Sequence, residues 1–147
     1  MMNLLKRFHN SSWIKRALSL CLALAMVFAL LPAMSNSADA LAAGDTVYLK
    51  PNSNWTQAGA RFAIYYFGAG ETWVNMTDSD GDGVYESVIP TGGYTSMIFC
   101  RMNPSAAANN WNNKWNQTAD LAIPTDGINL YTVKAGTWDK GGGTWSA

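Results

Sequence analysis

From Thr46 onward, apolar and polar residues alternate in short runs separated by turn residues. A period of two is the mark of a strand with one buried face. In Arg61-Phe62-Ala63-Ile64-Tyr65-Tyr66, residues Phe62, Ile64 and Tyr66 share one face, and Arg61, Ala63 and Tyr65 share the other. In the next run Val74 and Met76 fall on one face, and Glu71, Trp73, Asn75 and Thr77 on the other. Gly68-Ala69-Gly70 between them reads as a three-residue hairpin loop, which sets Tyr65 opposite Trp73 on the polar face. Opposed side chains of this kind have Cβ atoms about 5 Å apart. A register slipped by one residue would bury Arg61 beside Glu71 and expose Phe62, Ile64, Val74 and Met76. Burying such apolar groups is worth about 1.5–3 kcal/mol each, so the unslipped register is expected. Two bulky rings are therefore predicted side by side on the solvent side of a hairpin, a placement that is costly unless something binds there.

Further strands are predicted over Thr46–Lys50, Val84–Ile89, Thr95–Met102, Leu121–Ile123 and Leu130–Val133, with a last one from Thr137 or Thr144. The run from Thr95 to Met102 is nearly all apolar, which predicts a central strand covered on both faces. Helical periodicity is confined to the N-terminal segment. The pattern predicts an all-β fold, an antiparallel immunoglobulin-like β-sandwich preceded by a helical signal peptide.

That segment has the form of an export signal. Lys6, Arg7, Lys15 and Arg16 precede an uncharged apolar stretch of fifteen residues, Ala17 to Leu31. The stretch is short for a membrane span, which needs about 20 residues. Ala38-Asp39-Ala40 and Ala40-Leu41-Ala42 both offer small residues at the cleavage positions. The expected division is a secretory signal peptide over residues 1–42 and one domain over residues 43–147. The mature protein is expected to be secreted, extracellular and free of the membrane.

Composition narrows the chemistry of the remaining 105 residues. Six basic residues face nine acidic ones, a net charge of −3, whereas nucleic-acid binding calls for a basic stripe. Cys100 alone survives cleavage, so no intramolecular disulfide can form, and its apolar neighbours predict a buried structural thiol. The one histidine, His9, lies in the signal. Ser-His-Asp and Cys-His catalysis and histidine zinc sites are excluded with it. Paired carboxylates could still serve a glycosidase, but the acids cluster in one turn or sit near strand ends, and a small sandwich has little room for a cleft. Six Trp, six Tyr and three Phe point to a binder rather than an enzyme, with no cofactor expected.

Two segments carry candidate chemistry. Asp78-Ser79-Asp80-Gly81-Asp82-Gly83 resembles the start of a calcium loop, yet Ile89 stands where the bidentate glutamate belongs. A tight turn is the favoured reading, and a weak calcium site at Asp78, Asp80 and Asp82 is the other. The second segment, Asn103 to Gln117, is long for a hairpin loop and rich in amides around Trp111 and Trp115. Amides both donate and accept hydrogen bonds, as sugar hydroxyls do, and sugar rings carry apolar C–H faces suited to aromatic platforms. Trp111 is preferred over Trp115 as a contact residue. Trp55, Trp138 and Trp145 are expected to be core or edge packing.

The chain from residue 46 to 146 resembles the starch-binding carbohydrate-binding modules of families 25 and 26. The resemblance is carried by Val47-Tyr48-Leu49, Phe62-Ala63-Ile64-Tyr65-Tyr66, Trp73-Val74-Asn75-Met76, Asp80 to Glu86, Ile98-Phe99 and Asn110-Trp111-Asn112-Asn113. Arg101 to Asn109 departs from the pattern as an insertion-like stretch. The resemblance implies non-catalytic binding of α-1,4-linked glucan, starch or maltooligosaccharide, by a secreted bacterial module. It implies Tyr65, Trp73 and Trp111 as stacking residues, with Asn113 and Lys114 as polar contacts. An amylase or an adhesion complex would be the associated machinery. The alternative is an extracellular protein-interaction or adhesion module using the same aromatic patch.

Overall fold

The computed structural model describes residues 39–125, 127–138 and 140–147. The predicted signal peptide, apart from its last four residues, lies outside the described residues. Among the described residues no helix is long and apolar enough to cross a membrane.

Among the described residues, nine strands form two sheets. One contains β1 (Thr46–Lys50), β4 (Tyr85–Val88), β8 (Leu130–Thr132) and β9 (Thr144–Ser146), in the order β4-β1-β8-β9. The other contains β2 (Arg61–Phe67), β3 (Glu71–Asn75), β5 (Ser96–Met102) and β6 (Lys114–Gln117), in the order β3-β2-β5-β6, with β7 (Leu121–Ala122) also on β5. The fold is the expected all-β sandwich. Its pairings are antiparallel except β1–β8, which is parallel.

Alternation explains the core. Val47 and Leu49 of β1 and Tyr131 of β8 meet Phe62, Ile64 and Tyr66 of β2 and Met97 and Phe99 of β5. Trp55 stacks on Phe62 with ring centroids 6.2 Å apart and closes one end of this layer. The expected interior positions of Trp55 and Tyr66 are thus met, and Trp145 packs against the same core from β9.

The hairpin between β2 and β3 has the predicted register, with Tyr65 opposite Trp73 and Phe67 opposite Glu71. Gly68 makes it possible. Its φ is +120°, and a Cβ there would lie 2.3 Å from Thr95 Oγ1. Both faces of β5 are buried, as its apolar run predicts. The outer face forms a second cluster of Ile98, Cys100 and Met102 with Ala63 and Tyr65.

The segment from Asn103 to Gln117 is not all loop. Its end, Lys114–Gln117, is the edge strand β6, paired with β5 through a β-bulge between Arg101 and Met102. The polar sequence hides this strand, because its hydrogen bonds rather than apolar alternation define it. The folded unit also begins ahead of residue 43. Ala40 bridges Thr125, Leu41 N–H donates to the Pro124 carbonyl, and Leu41 packs on the core.

Candidate ligand-binding site

The outer face of the β2–β3 hairpin collects the aromatic residues singled out from the sequence. Odd positions of β2 point away from the core, so Arg61, Ala63, Tyr65 and Phe67 line this face. The Tyr65 and Trp73 rings are 5.0 Å apart and inclined by 47°. Trp111 meets both, 4.7 Å from Tyr65 at 67° and 4.8 Å from Trp73 at 68°. Phe67 stacks on the remaining side of Tyr65 at 5.7 Å. Edge-to-face and offset contacts at these distances are favourable arrangements of aromatic quadrupoles.

This geometry revises one expectation. Tyr65 is on the outward face, yet only 9% of its surface remains exposed, because Trp73, Trp111 and Phe67 cover it. Tyr65 is the floor of the site rather than part of its open surface. Trp73 is half-buried and Trp111 is 44% exposed, so these two present the apolar surface. Burial, together with Glu71 beside the phenol, holds Tyr65 above the usual phenol range, so it stays a neutral hydroxyl.

Trp111 arrives from a loop and needs an anchor. Arg61 supplies it. Its Nε donates to the carbonyls of Ala106 at 2.9 Å and Asn103 at 3.2 Å, and its Nη2 to that of Ala108 at 2.9 Å. Its Nη1 donates to Asn109 Oδ1, and Asn109 Nδ2 donates to Asn75 Oδ1 at 2.9 Å. One guanidinium thus ties the loop to the hairpin. Asn110 then caps the 3-10 turn Trp111–Asn113, accepting from Asn113 N–H at 2.9 Å.

The two predicted polar residues differ. Lys114 joins the cluster, with Nζ 5.2 Å from the Trp111 ring centroid and donating to Gln117 Oε1. Asn113 is adjacent in the chain, but its Nδ2 donates to the Ala108 carbonyl at 3.0 Å, so it holds the loop. Arg61, Asn75 and Asn109 were missed as site residues. The alternation of β2 and β3 already places Arg61 and Asn75 on the Tyr65 face; the loop that meets them has no such pattern.

The aspartate-rich segment is the predicted tight turn between β3 and β4, closed by the Thr77–Glu86 bridge. Asp78 accepts from Gly81 N–H at 2.8 Å and Gly83 N–H at 3.1 Å, and Asp82 from Val84 N–H at 2.7 Å. Carboxylate oxygens of Asp78, Asp80 and Asp82 lie within 4.8 Å of one another. These three residues could hold a cation, although backbone amides already occupy oxygens of all three, Asp80 accepting from Asp82 N–H at 3.3 Å.

Comparison with family models, with curated proteins and with solved structures finds no match for this chain.

Proposed function

We propose that this chain is a secreted, non-catalytic carbohydrate-binding module that holds α-1,4-linked glucan on the aromatic cluster of the β2–β3 hairpin. The reading joins the resemblance to starch-binding modules of families 25 and 26 to one observation. Tyr65, Trp73 and Trp111 meet at one place on an outer sheet face with their planes inclined by 47–68°. Coplanar rings suit a flat polysaccharide ribbon. Inclined rings follow a curved one, as α-1,4-linked chains are. Trp73 and Trp111 supply the stacking surface, Tyr65 supports them, and Lys114 donates to hydroxyls. Glu71, exposed at the rim, adds an acceptor beside the Tyr65 phenol. Asn113 serves through the loop it braces. A few stacking contacts in a shallow site correspond to affinities of roughly 4–8 kcal/mol, millimolar to micromolar.

Native electrophoresis in gels containing amylopectin tests this reading. The folded module is expected to be retarded and Trp73→Ala to migrate freely. Equal mobility of wild type with and without polysaccharide, at unchanged melting temperature, overturns the carbohydrate reading and leaves the aromatic patch to a protein partner. Release of reducing sugar from starch would instead overturn the non-catalytic assignment.

A further inference from the structure

Trp115 and Trp138 are as open to solvent as Trp111, 41% and 43% exposed, and take no part in its cluster. Both lie against Arg101. The guanidinium carbon is 4.6 Å from the Trp115 ring centroid and 5.4 Å from that of Trp138. Arg101 is itself only 5% exposed. Its Nε donates to the Trp55 carbonyl at 2.7 Å, its Nη2 to the Gln57 carbonyl, and its Nη1 to Asn116 Oδ1 at 3.3 Å. A cation over an indole face holds that face, leaving the rest of the ring to solvent.

Each ring is placed by a specific device. The bulge in β6 sets Asn116 opposite Arg101 and Lys114 opposite Met102, so Trp115 is the inserted residue. Trp115 and Asn116 thereby lie toward Arg101, while Lys114 and Gln117 meet on the outer face. Trp138 sits on a loop pinned at three points. Asn52 Nδ2 donates to the carbonyls of Lys134 and Thr137 at 2.6 and 2.8 Å, and Trp55 Nε1 donates to that of Trp138 at 2.7 Å. Two large apolar rings are thus held in place beside water before any ligand arrives, which lowers the ordering cost of binding.

We propose that Trp115 and Trp138 form a second saccharide-contacting site, on the opposite side of edge strand β6 from the Trp111 cluster. The inference rests on the carbohydrate reading of that cluster. The occupant is a neutral glycan, because the guanidinium directs its hydrogen bonds to protein oxygens rather than to a ligand anion. It is another stretch of the same curved chain. β6 is an edge strand, and Trp115 follows Trp111 by four positions, so their Cα atoms lie within about 14 Å. A polysaccharide that curls around the edge reaches both, and the second contact is then made at high effective concentration.

The experiment is a titration of the tryptophan indole N–H signals of the 15N-labelled module with maltoheptaose, assigned through single Trp→Phe variants. The Trp115 and Trp138 signals are expected to shift in the wild type and still to shift in Trp111→Ala, with the Trp55 signal stationary. In amylopectin gels, Trp138→Ala is expected to weaken retardation several-fold without abolishing it. Its Trp55 signal reports an intact fold, since Trp55 bonds to the backbone of residue 138. Shifts confined to Trp73 and Trp111 overturn the second site and leave the carbohydrate reading standing. No shift in any indole overturns both.

Discussion

The Tyr65 and Trp111 rings meet edge to face with centroids 4.7 Å apart, although one lies on a core strand and the other at the end of a loop. Tyr65 is therefore a support whose loss would let Trp111 and Trp73 collapse onto the sheet. Tyr65→Phe keeps the ring and is expected to retain retardation in amylopectin gels. Tyr65→Ala removes the floor. It is expected to remove most of the retardation and to cost roughly 2–4 kcal/mol in denaturant unfolding. If Tyr65→Ala binds as wild type does, the floor role is wrong.

Arg61 acts at one remove from any ligand. It donates to three loop carbonyls and to Asn109, so its removal leaves these part-buried and exposed acceptors without their donor and frees the loop that carries Trp111. Hydrogen bonds to charged groups are worth roughly 1.5–3 kcal/mol. Arg61→Ala is expected to speed amide exchange across residues 103–113 and to weaken glucan binding about tenfold. Arg61→Lys is expected to rescue little, because an ammonium lacks the planar fork that spans these carbonyls. Unchanged exchange in the loop would remove Arg61 from this role.

The hairpin was legible because alternation over Arg61–Tyr66 and Thr72–Thr77 leaves one register with an apolar interior, and that register is the one found. The extent of Tyr65 burial was not legible. It depends on where a loop folds back, and loops carry no period. Strand β6 was missed for a related reason: Lys-Trp-Asn-Gln offers no apolar face, and its pairing with β5 passes through a bulge. Trp138 illustrates the limit of a composition argument. Its ring was expected in core or edge packing; it is not in the core but stands 43% exposed against a buried arginine that no local pattern marks.

The N-terminal boundary follows from packing. Leu41 N–H donates to the Pro124 carbonyl, and the Leu41 side chain joins the core. Cleavage after Ala42 would remove both interactions, whereas cleavage after Ala38-Asp39-Ala40 keeps them. On the proposed secreted reading, the mature chain is expected to begin at Leu41, giving up the Ala40–Thr125 bridge but keeping the Leu41 contacts. N-terminal sequencing or the intact mass of secreted protein checks this, and a start at Ala43 would refute it.

Cys100 predicts how the module responds to alkali. Its side chain is fully buried on the outer face of β5, and burial pushes the thiol up to about 12, with Lys114 opposing slightly. In the unfolded chain the same thiol ionises near 9.0. Below that value both states carry the proton, and stability is independent of this group. Above it the unfolded chain binds fewer protons than the native one, so stability falls as pH rises, by about 1.4 kcal/mol per pH unit per group. The fall continues to about pH 12, where the native thiol ionises as well. Burial raises Tyr66 and Tyr131 in the same sense, so their phenols steepen the decline once unfolded tyrosines begin to ionise. Chemical denaturation is expected to show constant stability from pH 7 to 8.5 and a marked loss by pH 11. Cys100→Ala is expected to flatten the early part of that loss, between about pH 9 and 10, before tyrosines contribute. Native protein is expected to resist thiol reagents that label it fully once unfolded. Rapid labelling of the folded module, or a Cys100→Ala profile identical to wild type in that window, would place the thiol in contact with water and end the argument.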